Sequence, residues 1–94
     1  MVFEFHEPKS EANKAKHSLD FYEAQQLWLD VDAIEIRARS EVEERKMLIS
    51  KAGGKIWAAV FTERQGRIRI ISVRPARTNE KAIYEQTEDD STES

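Results

Sequence analysis

The 94-residue sequence contains no cysteine, few glycines and prolines, and no long apolar run. Without cysteine the chain has no disulfide framework, no thiolate zinc site and no cysteine nucleophile. No segment approaches the roughly 20 apolar residues that a membrane-spanning helix needs. The first residues also lack the basic and apolar regions of a signal peptide. We therefore predict a protein of the cytoplasm that has no membrane contact.

Histidine and glycine are too scarce and too scattered to support metal or nucleotide chemistry. The two histidines, His6 and His17, are far apart and have no further ligand at a metal-binding spacing. The pair Gly53-Gly54 precedes a predicted strand, whereas a phosphate-binding loop precedes a helix. The sequence shows no Ser-His-Asp spacing that is typical of a catalytic triad. We expect neither a metal nor a cofactor.

The residues that are present indicate one small, charge-rich domain. Hydrophobic residues make up 39% of the chain and charged residues 35%, and the length allows a single core. All 15 lysines and arginines lie within residues 1–84, whereas the last ten residues carry only acidic charges. We predict a domain over residues 1–86 and a disordered acidic tail over residues 87–94.

The hydrophobic periodicity predicts the element order β-α-α-β-β-β-β-α. Asp20 and Glu23 have the spacing of a capping box and should begin the second helix. The segment 55–62 has apolar residues on both faces, as in a central strand. Glycine-containing turns flank that segment, and Thr78 can cap a last helix that ends near Gln86. The predicted fold is α+β, with helices on one face of an antiparallel sheet.

Basic residues dominate the segment 64–81, which contains a single acidic residue, Glu80. The basic residues are Arg64, Arg67, Arg69, Arg74, Arg77 and Lys81. Arginine stays charged and can hold a phosphate through two parallel hydrogen bonds, so it can stabilise charge that develops on a phosphate under attack. The alternative is that these side chains only solubilise and protect an exposed sheet edge.

Two kinds of side chain near these arginines could transfer protons. Glu43 and Glu44 begin a predicted strand, and Tyr84 lies two helical turns after Arg77. A glutamate or a tyrosine could accept a proton from a ribose 2′-OH. The alternatives are a solvated strand start for the glutamates and a packing role for Tyr84. Trp28 and Trp57 lie on apolar faces, so we expect them in the core.

Several motifs, taken in their order and spacing, resemble the BrnT family of small ribonuclease toxins from type II toxin–antitoxin modules. They are Asn13-x-x-Lys16-His17, Leu19-x-Phe21-x-Glu23-Ala24, Glu44-Arg45, Phe61-Thr62-Glu63-Arg64, Ile68-Arg69-Ile70-Ile71-Ser72-x-Arg74-x-Ala76, Glu80 and Tyr84-Glu85. The sequence departs from the family at Ser18, where the family usually has a glycine. Glycine tolerates the left-handed backbone that often ends a helix, and serine does not.

The resemblance implies a RelE-like fold and a metal-independent endoribonuclease that inhibits translation. It also implies neutralisation by a BrnA-like ribbon-helix-helix antitoxin in a hetero-oligomer that touches DNA only through the antitoxin. The expected catalytic residues are Arg64, Arg74, Tyr84 and Glu44, and the expected phosphate-binding residues are Arg45, Arg69, Arg77 and Lys81. The alternative is a non-catalytic module, derived from such a toxin, that binds RNA or the antitoxin.

Overall fold

The computed structural model describes residues 1–41 and 43–93, and of the stretch 87–93 only the backbone. In chain order the elements are β1 (Val2–Glu4), α1 (Glu7–His17), α2 (Phe21–Ala24), a 3₁₀ helix (Gln25–Leu29), β2 (Ile34–Ala38), β3 (Arg45–Ala52), β4 (Lys55–Arg64), β5 (Arg67–Pro75) and α3 (Thr78–Glu93). This is the predicted α+β architecture.

The five strands form one mixed sheet in the order β1-β5-β4-β3-β2. Strands β2 to β5 are the expected antiparallel meander. The prediction of a wholly antiparallel sheet is wrong for β1, which pairs in parallel with β5 from Val2 opposite Arg67 to Glu4 opposite Arg69. A strand of three residues carries too little pattern to show the direction in which it pairs.

The helices cover both faces of the sheet, so the prediction of helices on one face is also wrong. Neighbouring residues of a strand point to opposite faces. On β3, Leu48 belongs to a core cluster with Phe21 and Leu27, whereas Ile49 belongs to a second cluster with Tyr84 of α3. The apolar residues on both faces of β4 are the physical reason for the two helical layers.

The second helix forms where its capping box predicts, but it is only one α-helical turn long. The Asp20 side chain accepts the N–H of Glu23 at 2.7 Å, and the Glu23 carboxylate accepts the N–H of Asp20 at 3.0 Å. The chain then continues as the 3₁₀ helix. Phe21, Ala24 and Leu27 are buried, so this short helical segment packs its apolar side into the core.

Trp57 occupies the core, as predicted, whereas Trp28 is only partly buried and packs against the core. Trp57 is buried, and Trp28 packs edge-on against Phe3 and Phe61, with ring centroids 5.1 and 5.3 Å apart. At the end of α1, Ser18 has a left-handed backbone (φ 64°), and its N–H donates to the carbonyl of Lys14. The geometry that suits glycine is therefore present with a serine in its place.

The last helix is longer than the sequence predicts. It begins at Thr78, and its backbone continues to Glu93 rather than ending near Gln86. The side chains after Gln86 and all of Ser94 lie outside the described residues. The disorder that we predict for the acidic tail, residues 87–94, therefore stays a prediction.

Candidate functional site

The β4–β5 hairpin gathers arginines on the sheet face that also carries Ile49 and Ile56. Gln65 and Gly66 form its two-residue turn with φ values of 51° and 77°, the left-handed backbone that tight hairpins require. This turn sets Arg64 directly opposite Arg67, and Thr62 opposite Arg69. Residues directly opposite in an antiparallel pair share one face, where like charges destabilise the pair. The sheet therefore holds these guanidiniums together against their mutual repulsion.

A fourth arginine joins them from β3. Phe61 pairs with Lys46, and continuing that register by one residue sets Arg45 beside Thr62. We call the four arginines Arg45, Arg64, Arg67 and Arg69 the basic half-face. Arg64, Arg67 and Arg69 are exposed, and Arg45 is half-buried.

Positive charge on the basic half-face is only partly balanced. Glu43 bridges two of its members, with carboxylate oxygens 3.2 Å from the guanidiniums of Arg45 and Arg64. In the described part of the chain, no carboxylate lies within 4 Å of Arg67 or Arg69. Arg67 and Arg69 thus form no ion pair with any described residue, although Glu4 of β1 lies opposite Arg69 in the sheet register. Four arginines against two nearby carboxylates leave this surface positive, which suits the binding of an anion.

Arg74 lies on the same sheet face but at its other end, under the start of α3. It pairs with Ala58, six positions before Arg64 on β4, so it is about 20 Å away from Arg64 at roughly 3.3 Å per residue. Its guanidinium binds both carboxylate oxygens of Glu80, at 2.7 and 2.8 Å. The side chain of Glu80 is only 7% exposed and also accepts the N–H of Arg77 at 2.8 Å.

The Arg74–Glu80 pair is consequently a matched structural contact. The hydrogen bond from Arg74 lowers the pKa of Glu80 below its ordinary value, although burial opposes this shift. Hydrogen bonding to Glu80 in turn raises the pKa of Arg74. The pair ties the first turn of α3 to the end of β5. It does not bring Arg74 into the basic half-face.

Tyr84 of α3 is 2% exposed and packs with Ile49 and Ile56 of the sheet. Its hydroxyl donates to the Asp30 carboxylate at 2.7 Å, and Asp30 also accepts the N–H of Lys51 at 2.9 Å. Burial raises the pKa of Asp30, but the hydrogen bonds from Tyr84, Lys51, Asp32 and Ser50 outweigh burial and bring it below its ordinary value. Tyr84 thus fixes α3 to the loop before β2.

The remaining predicted site residues lie elsewhere. Glu44 is exposed and 3.8 Å from Arg37, whereas its neighbour Glu43 reaches the arginines. Arg77 and Lys81 are exposed at the start of α3. Of the predicted residues, the structure brings together only Arg45, Arg64 and Arg69. The catalytic roles of Arg74, Tyr84 and Glu44 and the phosphate-binding roles of Arg77 and Lys81 stay predictions.

Three further residues of this region were not assigned to the site by the sequence. Arg67 was noted among the basic residues, and strand alternation places it on one face with Arg69. Glu43 was noted with Glu44 as a possible proton acceptor, but only Glu44 was assigned to the site. Nothing in the sequence marks Thr62 except that it lies two positions before Arg64 in the same motif. Its burial is visible only in the folded sheet.

The described residues offer neither a cluster of metal ligands nor a membrane-spanning helix. Among the side chains that the structure describes, those of residues 1–41 and 43–86, no three histidine or carboxylate groups come together as metal ligands could. No helix in residues 1–41 and 43–93 is both long enough and apolar enough to cross a membrane.

The comparison with protein families gives one result. A family model described as "Ribonuclease toxin, BrnT, of type II toxin-antitoxin system" matches residues 5–80. The match covers most of the chain and confirms the resemblance seen in its motifs. No curated protein matches the sequence.

Proposed function

Because the chain belongs to the BrnT family of ribonuclease toxins of type II toxin–antitoxin systems, we propose that it is an endoribonuclease that cuts RNA on the basic half-face. In this proposal the RNA phosphate lies against the arginines, and cleavage of RNA inhibits translation. The proposal includes a RelE-like ancestry for the fold and a cytoplasmic location.

The observation that carries this proposal is the opposition of Arg64 and Arg67 beside Arg69. A hairpin that placed these side chains only for solubility would gain nothing from directly opposed like charges, which cost stability. A phosphodiester removes that cost, because its oxygens accept paired hydrogen bonds from several guanidiniums at once. The same cations stabilise the extra negative charge of the transition state, so the mechanism needs no metal ion.

In the step we propose, the ribose 2′-oxygen forms a bond to phosphorus, and the bond from phosphorus to the 5′-oxygen breaks. Glu43 accepts the proton of the 2′-OH, and the leaving 5′-oxygen takes a proton from water. The products are a 2′,3′-cyclic phosphate and a 5′-OH. Glu43 suits this role better than Glu44, because its carboxylate already lies 3.2 Å from Arg64.

For Arg74 and Tyr84 we propose indirect roles. Both side chains already form hydrogen bonds within the fold, Arg74 with Glu80 and Tyr84 with Asp30. Their loss should lower the stability of the fold, so cleavage should fall only with the fraction of protein that is folded. A catalytic role for either side chain requires that it leave this partner when RNA binds.

The family also supplies a partner, since a type II toxin is neutralised by a protein antitoxin. We propose a BrnA-like ribbon-helix-helix protein that forms a hetero-oligomer with this chain and makes the DNA contacts of the complex. Induced expression of the chain alone should arrest growth and degrade RNA. Co-expression with the neighbouring reading frame should restore growth, and continued arrest would count against this partner.

The proposed activity is tested by incubating the purified protein with end-labelled RNA in the presence of EDTA. We expect fragments that end in a 2′,3′-cyclic phosphate. An RNA that carries 2′-O-methyl groups throughout should remain whole, because the attacking hydroxyl is blocked. Cleavage that disappears in EDTA would contradict the metal-free mechanism, and RNA that is neither bound nor cut would contradict the function.

A second candidate function is RNA binding without cleavage. The observation that favours it is the placement of the histidines, since His6 precedes α1 and His17 ends it. Neither histidine is on the strands that carry the basic half-face, and the group found in contact with its arginines is the carboxylate of Glu43. In the assay above, RNA that shifts in a gel but stays intact would select this function.

A further inference from the structure

Thr62 carries an unsatisfied polar group at the centre of the basic half-face. The residue is 3% exposed, and its hydroxyl is buried. Across the described residues, it is the one fully buried side-chain polar atom that has no hydrogen-bond partner. A buried hydroxyl without a partner has lost its hydrogen bonds to water and gained none in the protein, which destabilises the fold. A threonine at this position is therefore unfavourable for the free protein unless the hydroxyl has another use.

The sheet register shows what surrounds this hydroxyl. Thr62 lies opposite Arg69 on β5, and the β3–β4 register places Arg45 on its other side. Arg64 follows on the same face, two positions along β4. The unpaired hydroxyl is thus flanked on three sides by guanidinium side chains, which are long and can turn toward a ligand.

From this placement we infer that Thr62 is a substrate-binding residue whose hydroxyl donates a hydrogen bond to a non-bridging oxygen of the RNA phosphate. The inference rests on the proposed function and adds a hydroxyl donor to the arginines for the same phosphate. In the free protein the hydroxyl is buried, and arginines occupy the neighbouring positions of the same sheet face. When the guanidiniums turn to the phosphate, the hydroxyl becomes accessible and gains the partner that it lacks.

A second buried hydroxyl provides a matched control. Ser50 lies on the adjacent strand β3 and is fully buried, like Thr62. Its hydroxyl, however, donates to the carbonyl of Leu27 at 2.6 Å, so it is satisfied within the fold. Removing the two hydroxyls should therefore have opposite consequences.

The test compares Thr62→Val, Thr62→Ser and Ser50→Ala with the unmodified protein. Each variant is measured for urea unfolding, for affinity toward a fluorescent single-stranded 2′-O-methyl RNA that cannot be cut, and for cleavage of the matching RNA. Thr62→Val keeps the shape of the side chain and removes the hydroxyl. We expect it to unfold at the same or a higher urea concentration and to bind the RNA about tenfold more weakly.

The controls separate this effect from a loss of structure. Thr62→Ser should restore the affinity to within about threefold, since it keeps the donor. Ser50→Ala should unfold at lower urea but bind the RNA normally when folded. A Thr62→Val protein that binds and cuts RNA like the unmodified protein, or that unfolds more easily, overturns the inference while the nuclease function stands. An unmodified protein that neither binds nor cuts RNA overturns both.

Discussion

The arginines at the two ends of the same sheet face differ in their ion pairing. Under α3, Arg74 is held by both oxygens of Glu80, and Tyr84 is held by Asp30. Beyond α3, Arg67 and Arg69 have no carboxylate within 4 Å among the residues described, and Arg45 and Arg64 share Glu43. At the covered end the arginine has an ion-pair partner within the fold, and at the other end two arginines have none among the described residues.

This difference separates charges that build the fold from charges that are available to a ligand. Removing one partner of a partly buried ion pair destabilises the native state, because it leaves a costly unpaired charge. Exposed cations that face one another contribute little or are unfavourable. The function of a basic residue in this chain therefore follows from its partner more than from its position in the sequence motif.

The largest expected effect separates the two ends by activity. The double variant Arg64→Ala, Arg69→Ala should lose cleavage by at least about 10³-fold, since one transition-state donor alone contributes about 10²–10³. Its free energy of unfolding should change by less than about 0.5 kcal/mol, because both side chains are exposed. Single-turnover cleavage and urea unfolding give the two numbers.

Arg37 offers the control for this double variant. It is an exposed arginine on β2, opposite Lys46, and lies on the sheet face away from the basic half-face. Arg37→Ala removes the same kind of charge and should retain full activity. Equal loss in both proteins would mean that total charge, rather than the basic half-face, sustains activity.

A second experiment distinguishes the two neighbouring glutamates. Glu43→Gln should slow the chemical step by about 10²-fold, the lower end of what a general base contributes. It should also tighten RNA binding a few-fold, because Arg45 and Arg64 lose the carboxylate that competes with phosphate. Glu44→Gln should change neither quantity. If Glu44→Gln is the slower enzyme, the original assignment of Glu44 as the base stands and Glu43 is only an ion-pair partner.

At the covered end, the expected effect is on stability. Arg74→Ala leaves Glu80 buried without its main partner and should lower the free energy of unfolding by about 2–3 kcal/mol. Cleavage per folded molecule should be unchanged. Arg77→Ala, a matched loss of an exposed arginine beside it, should leave stability unaltered. A stable Arg74→Ala protein without activity would show instead that Arg74 is catalytic.

The smallest expected effect is a loss of stability in acid. The folded-state pKa values of Glu80 and Asp30 lie below their ordinary values of 4.5 and 3.8. Both groups therefore contribute stability above those ordinary values, and this stability is lost as the pH falls through the lowered values. The free energy of unfolding should therefore fall in that window, by less than the loss expected for Arg74→Ala. Glu80→Gln should flatten the drop, and an equally steep profile would show that Glu80 is not responsible.

The sequence predicted the local features of this molecule well. The Asp20–Glu23 capping box and the Gln65-Gly66 turn each depend on neighbouring residues, and both form as expected. The turn fixes the hairpin register, and strand alternation then places Arg67 and Arg69 on one face. That is why the core of the basic half-face could be read from the chain.

The features that were missed depend on long-range contacts. Between Phe61 opposite Ile70 and Val60 opposite Ser72, β5 contains one extra residue, Ile71. This irregularity turns Arg74 to the same face as Arg69, which a strict alternation does not predict. Because of this extra residue, Arg74 faces α3 and can pair with Glu80. The apolar residues on both sides of β4 explain why α3 docks on the second face.

The most direct test of the whole account is an amide NMR titration of the isotope-labelled protein with the non-cleavable 2′-O-methyl RNA. We predict that the largest shift changes map to Thr62, Arg64, Arg67 and Arg69, and that the amides around Arg74, Glu80 and Tyr84 change little. Changes centred on α3, with the β4–β5 turn unaffected, would contradict the claim that the unmatched end of the sheet holds the RNA.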